Sequence, residues 1–332
     1  MIQLPHTLPL RKTVLIATFA AILAPALLAQ QDVPAAPNQG TDVSAGPVFP
    51  KIDPADFNAT SPTSDEVAAF LKASWGYDQT RVYQVQRIAK TAVPGVSSVL
   101  IVVGQKGNKQ LSALQFYTMP DGKHIITGGE ILPFGAHPYD GNRAELLSRA
   151  NGPWQGSASK NLELIEFADF QCPHCKEAQP TMAKLVADFP NAHIVFQGFP
   201  LTRVHNQAAR AAAYGICVAK LGGNADFFKY ASAVFDGQAG LTTDDSTTLT
   251  LNSAVAAAGL SPDKIAACST TPETKAAVDA QVKLAEDLGV NQTPSLAING
   301  RIIPLGGVPY DMLKMMINYQ VQIDGPAPAA AK

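Results

Sequence analysis

Two cysteines stand three positions apart in Cys172-Pro173-His174-Cys175. Such a pair can close a disulfide, ligate a metal or pack as inert thiols. Its setting favours the first. The apolar run LELIEFADF reads as a buried strand leading into it, and a helical pattern follows to about Phe189. Cys172 therefore falls at a helix start, where unpaired backbone N–H groups and the helix macrodipole stabilise a thiolate. Pro173 suits the first helical position, since no N–H is needed there. Cys175 lies one turn further in, is the more buried thiol, and can reach Cys172 without backbone movement. Cys172 is expected to be the attacking thiol and Cys175 the resolving one. His174 is expected to donate to the Cys172 sulfur, or to sit beside it as a cation. A stabilised thiolate stabilises the reduced protein, so the disulfide form is oxidising and takes electrons from substrate cysteines. A zinc site needs further ligands at short spacing. The chain offers no second C-x-x-C, so no metal is expected. No cofactor is implied beyond the Cys172–Cys175 disulfide itself.

Two further positions bear on this chemistry. Glu166 lies six residues before Cys172 amid apolar neighbours. A carboxylate there can relay a proton to and from Cys175. Thr293-Pro294 precedes a strand on the far side of a long helical stretch. In a thioredoxin-like fold this would be a cis proline facing the cysteine pair, which leaves the backbone of Thr293 to pair with an extended substrate chain; an ordinary trans proline at a strand start is the alternative.

The elements that position these residues follow from pattern. After the strand and helix around the cysteines, AHIVFQGFPL reads as a strand, residues 206–288 as almost wholly helical, and TPSLAING and RIIPLGG as two strands joined at Asn299-Gly300. PYDMLKMMINYQ closes as a helix. Without the helical insert, this is the thioredoxin order, and it defines an α/β domain over 161–323. Upstream, Thr63 and Glu66 have capping-box spacing ahead of a helical stripe. A second short helix is expected over Arg81 to Lys90, followed by an antiparallel meander. Residues 63–135 thus form a small α+β domain, with 136–160 as a connector, partly helical over Ala144 to Arg149. Residues 30–62, rich in Pro, Ala, Asp and Asn, read as a flexible linker, and 324–332 as a tail.

At the N-terminus, Arg11 and Lys12 precede the apolar run Thr13 to Leu23 and the small residues of APALLAQQ. That order predicts a signal peptide over 1–29, cut after Ala29, or alternatively after Ala26. An uncleaved anchor is the competing reading, although the run is short for a bilayer span. An exported protein of the periplasm or cell envelope follows, where disulfides persist. The net charge of −2 and the lack of a basic run exclude nucleic acid as an expected partner. Cys217 and Cys268, both in the insert, read as a structural disulfide; two buried free thiols or an electron relay are the alternatives.

The segments EFADFQCPHC, QGFPLTRVHNQAARAAA and VNQTPSLAINGR resemble the DsbA-like thiol–disulfide oxidoreductases, a thioredoxin fold with an inserted helical subdomain. The resemblance spans roughly Leu162 to Gln320. It implies Cys172 as nucleophile, Cys175 as resolving thiol, His174 as thiolate stabiliser and Pro294 as a cis proline. The segments TAVPGVSSVLIVVG and FYTMPDGKHIITGGEI are more loosely similar to the cystatin-like N-terminal dimerisation domain of the DsbC/DsbG isomerases. Thr293 before the proline matches that group as well, whereas the Pro-His dipeptide and the long insert depart from it. Oxidase and homodimeric isomerase both remain open on these residues. A dimeric, non-catalytic chaperone-like binding protein is the reading from a different class. The expected partners are unfolded or partly folded exported proteins with cysteines, and a membrane redox protein that recycles the pair.

Overall fold

The computed structural model describes residues 46–324. The expected signal peptide, the first part of the linker and the tail beyond Asp324 lie outside them.

Helix α1 (Ser64–Trp75) starts at a capping box in which the Thr63 hydroxyl accepts from the Glu66 N–H and the Glu66 carboxylate accepts from the Thr63 N–H. Its Val67, Phe70 and Leu71 pack on one face of a five-stranded antiparallel meander. The strands are β1 (Arg81–Lys90), β2 (Ser97–Gln105), β3 (Leu111–Thr118), β4 (His124–Thr127) and β5 (Glu130–Pro133), in sequential order.

Two expectations are corrected here. Residues 81–90 form a strand, not a helix. A β-bulge shifts the register between Val85 and Arg87 and leaves Gln86 as an extra residue. Tyr83, Val85 and Ile88 consequently face the same core, and the three-residue step from Val85 to Ile88 imitates helical spacing. Residues 46–62, the second half of the expected linker, also pack on the sheet. A 3-10 turn spans Pro54–Asp56, the Asn58 side-chain oxygen accepts from the Lys90 N–H at 2.9 Å, and the Ser97 hydroxyl donates to the Ser61 carbonyl. Phe57 and Ala59 add apolar contacts to the same core, but two scattered apolar residues make no period that reveals the segment.

The second sheet has the order β10-β9-β7-β8-β6. Strand β7 (Glu163–Ala168) is central and buried along its whole length, as suits a strand covered on both faces. It pairs in parallel with β8 (His193–Gly198) through α3 (Pro173–Asp188), and antiparallel with β9 (Ser295–Ile298). A tight turn with positive φ at Asn299 and Gly300 returns the chain into β10 (Arg301–Pro304). The connector holds α2 (Asp140–Arg149) and an unexpected three-residue strand, β6 (Trp154–Gly156), at the β8 edge. On one face, α3 and α8 (Tyr310–Asp324) bury Leu185, Leu313 and Ile317 against Leu164 and Ile298.

The insert comprises α4 (Ala208–Asp236), α5 (Asp244–Ala257), α6 (Pro262–Ser269) and α7 (Pro272–Asp287). Its core joins the sheet through Phe170 and Phe196, which stack at 5.1 Å and meet Phe227 and Tyr230 of α4. Cys217 of α4 and Cys268 of α6 are bonded, with Cα atoms 6.0 Å apart.

Candidate active site

The site begins where β7 ends. Asp169 is buried, and its carboxylate ties the following loop into a knot. One oxygen accepts from the Gln171 N–H at 2.7 Å. The other accepts from the Leu201 N–H at 2.9 Å and lies 2.7 Å from Nδ1 of His205. The Asp169 N–H points at the Cys175 sulfur, 3.4 Å away. From the short helical turn Gln238–Gly240 of the insert, the Gln238 amide donates to the carbonyls of Phe170 and Cys172, at 2.8 and 2.9 Å. The Gln171 amide group donates to the Leu241 carbonyl, and its oxygen accepts from the Gln207 N–H. The turn carrying the cysteines is therefore held from three directions before α3 begins.

Cys172 is the N-cap of α3, with Pro173 in its first turn. Its sulfur lies 3.5 Å from the Thr293 carbonyl, and the Thr293-Pro294 bond is cis. The Cys172 thiol is pushed down to about 5. The largest cause is the Cys175 thiol, which donates to it; the Thr293 side chain and the backbone N–H groups of Cys175 and His174 add to this, against the opposing effect of burial. The Thr293 hydroxyl is buried and otherwise without a partner, so it is free to serve a thiolate. Cys175 is pushed strongly the other way, first by burial and then by donating to Cys172. The two sulfurs of one motif are thus held in opposite protonation states.

Glu166 sits in the middle of β7, and burial pushes its carboxyl up to about 7. Gln179 of α3 donates to it at 3.0 Å and, with the same amide nitrogen, to the Cys175 carbonyl at 3.0 Å. An ordinary glutamate ionises near 4.5, so the folded protein resists losing this proton as pH rises from 4.5 to about 7. The cost to stability is absent at low pH and complete above 7. Glu166→Gln is expected to stabilise the protein by about 3 kcal/mol at pH 8 and hardly at all at pH 4. Urea unfolding at the two pH values measures this; an equal gain at both would show that the buried charge is not the cause.

His174 does not do what its position suggests. Its side chain is 74% exposed and turns to Glu177, with Nδ1 2.9 Å from the carboxylate. That pairing is the main reason its pKa is raised. What residue 174 brings to the Cys172 sulfur is its backbone N–H. The imidazole donates to Glu177 rather than to the sulfur; its expected role as a cation beside Cys172 survives as a smaller effect, since the Cys172 charge also raises its pKa.

Cys172, Cys175, Thr293 and Pro294 meet at one end of the central strands, Glu166 lies behind Cys175 within β7 and is joined to it through Gln179, and Cys217 and Cys268 lie within the insert. Asp169, Gln179 and Gln238 belong to the site and were not anticipated. Asp169 did leave a signal, since an Asp two residues before a turn N–H is the Asx-turn pattern. His205, which reads as a capping or surface residue, is only 20% exposed and packs against Asp169.

Among curated proteins, the chain is 38% identical over 58 residues to the Na(+)/H(+) antiporter NhaA 1 of Salinispora arenicola, a match covering 18% of this chain and 9% of that one. It is 28% identical over 166 residues to NhaA 1 of Mycolicibacterium vanbaalenii, covering 49% and 24%. The chain therefore spans a quarter or less of these relatives. Among solved structures, it is similar to a periplasmic thioredoxin-like protein from Salmonella enterica serovar Typhimurium (23% identity, TM-score 0.45, covering 55% of this chain and 96% of that one). It is also similar to oxidised BdbD from Bacillus subtilis (18% identity, TM-score 0.46, covering 52% and 93%). The thioredoxin family model matches residues 148–318, from the end of α2 into α8. That stretch holds all five strands of the second sheet, together with the cysteine turn and the cis proline; by this match, over half its length, the chain belongs to the thioredoxin family.

Proposed function

We propose that this protein is an exported thiol–disulfide oxidoreductase that passes the Cys172–Cys175 disulfide to cysteines of secreted proteins. The observation that carries the reading is the opposed pair: a Cys172 thiol pushed down to about 5 at the start of α3, beside a buried Cys175 pushed up. A substrate thiolate attacks the Cys172 sulfur of the oxidised pair. A mixed disulfide forms and Cys175 leaves as a thiolate, which takes up a proton; Glu166, holding one up to about pH 7, is placed to supply it. A second substrate thiolate then attacks the substrate sulfur of the mixed disulfide. The substrate disulfide closes and Cys172 departs as a stable thiolate. Two electrons have moved from substrate to protein, and a membrane redox partner must remove them. Thr293, beside the sulfur and just ahead of β9, is where an extended client chain is expected to lie. Residues 1–29 support export.

The reduction potential of the pair, from equilibration with glutathione buffers, tests this directly. It is expected closer to about −120 mV than to about −270 mV. A value at the lower figure would make the protein a reductant and overturn the direction of transfer. Alkylation of Cys172 by iodoacetamide is expected to reach half its maximal rate at about pH 5, against about 8.5 for an ordinary thiol. Thr293→Val should move that midpoint upward, because the hydroxyl no longer faces the thiolate. An unchanged midpoint would remove Thr293 from the account.

A dimeric isomerase is the second reading. The observation favouring it is the sheet edge at β5, where Ile131 is 63% exposed. An edge strand with one side unpaired and an apolar side chain exposed is a template for a second copy. Sedimentation equilibrium should then find a dimer that Ile131→Lys dissociates; a monomer at all concentrations supports the oxidase.

A further inference from the structure

A cavity of about 270 Å³ lies between α1, strands β3 to β5 and strand β10. It shares no residue with the cysteine site. Its walls are apolar, with Phe70, Leu114, Phe116, Ile125 and Ile303 among them, and Arg301 is its sole cation. Arg301 is only 7% exposed. One guanidinium nitrogen, Nη2, donates to the Ser74 carbonyl at 2.6 Å. The other, Nη1, is buried without a hydrogen-bond partner. The rings of Tyr77 and Tyr139 flank the guanidinium at 4.9 and 5.4 Å, which fixes its plane. Among the described residues, no carboxylate stands within ion-pair distance of it. A buried cation lacking a counter-charge is costly, and an orphaned N–H adds to that cost.

We propose that this cavity binds a small amphiphilic carboxylate, an apolar chain ending in a single acid group, with Arg301 as its anchor. The argument rests on complementarity. The apolar walls take the chain, and the open Nη1 takes a carboxylate oxygen in a charge-assisted hydrogen bond. The volume is at the small end for ligand pockets, which run from about 300 Å³ upward, so it suits a short chain rather than a folded partner. The unpartnered Nη1 carries two N–H groups, which suit the oxygens of one carboxylate and select an acid over an alcohol. Leu132, 37% exposed at the lip, marks the entrance. The inference is independent of the redox reading, because nothing in it requires a cysteine.

The test is a titration of the purified protein with sodium decanoate and, separately, with 1-decanol, below their micellar or solubility limits. Calorimetry and the emission of Trp75, which lines the cavity, report binding. Wild-type protein is expected to bind decanoate saturably, one to one, and about ten-fold or more tightly than decanol. Arg301→Met should erase that preference by weakening decanoate about ten-fold while leaving decanol nearly unchanged. Leu132→Trp, at the exposed lip, should weaken both. Non-saturable uptake, equal affinity for acid and alcohol, or an acid preference that survives in Arg301→Met overturns the proposal. The acid–alcohol comparison is made on wild-type protein, so it decides the matter even if Arg301→Met does not fold.

Discussion

Cys172→Ser is expected to lower disulfide transfer to a reduced, unfolded client by about three orders of magnitude or more, to the uncatalysed background. A serine hydroxyl does not form a disulfide, and none of the neighbouring groups can replace the sulfur. Cys175→Ser is expected to behave differently. Its Cys172 remains a ready nucleophile, so it still reacts with a client disulfide. The resulting mixed disulfide persists because no resolving thiol stands behind it. Non-reducing gels of the two variants with a disulfide-containing client, with and without later reductant, separate the cases. Adducts with Cys175→Ser and none with Cys172→Ser assign the roles as described. Full cellular activity of Cys172→Ser would sink the catalytic reading and favour a binding protein.

Breaking the Cys217–Cys268 bridge should have the largest effect on stability. The bonded residues are 51 positions apart, and a loop of that size removes about 4 kcal/mol of conformational freedom from the unfolded chain. Cys217→Ala with Cys268→Ala avoids burying two hydroxyls in the core of the insert, where Cys217 is fully enclosed. Urea unfolding is expected to show a loss of about that size. A loss below about 1 kcal/mol would mean that residual structure already holds the α4 and α6 segments together in the unfolded chain. Disulfide transfer by the native fraction should be little changed, since the polar neighbour of the bridge is Thr274 of α7 and none of the hydrogen bonds at the cysteine turn comes from it. A fall in transfer rate at full folding would instead revive an electron relay.

The reach of the sequence differed between the two domains for a physical reason. Around Cys172 each local signal agrees with its neighbours: a buried strand, a proline suited to a first helical turn, a helix of ordinary length, and a Thr-Pro ahead of a second strand. Such agreement is what makes a segment legible. At β1 one extra residue, Gln86, converts the two-residue period of a strand into a three-residue step, and the pattern misleads. The segment 46–62 is hidden in the sequence because its apolar contacts, Phe57 and Ala59, are isolated and without period, and its other ties are Asn58 and backbone carbonyls. His174 was misread for another reason. Its place in the chain puts its backbone beside the sulfur, but which way an exposed imidazole turns depends on Glu177, one helical turn on. Asp169 and Gln238 act across long separations, and no spacing rule connects residue 238 to residue 172.

The link from Gln238 to the carbonyls of Phe170 and Cys172 sets a rule for anyone who would recombine this protein with its relatives. The helical insert has the outline of a detachable module, entered and left through the thioredoxin-like sheet. It is not one. A chimera that takes a foreign insert must also import an amide at the place of Gln238 and an acceptor at the place of the Leu241 carbonyl. Otherwise two carbonyls around the cysteine turn lose their donor, and the graft will be felt at the sulfur before it is felt in the fold.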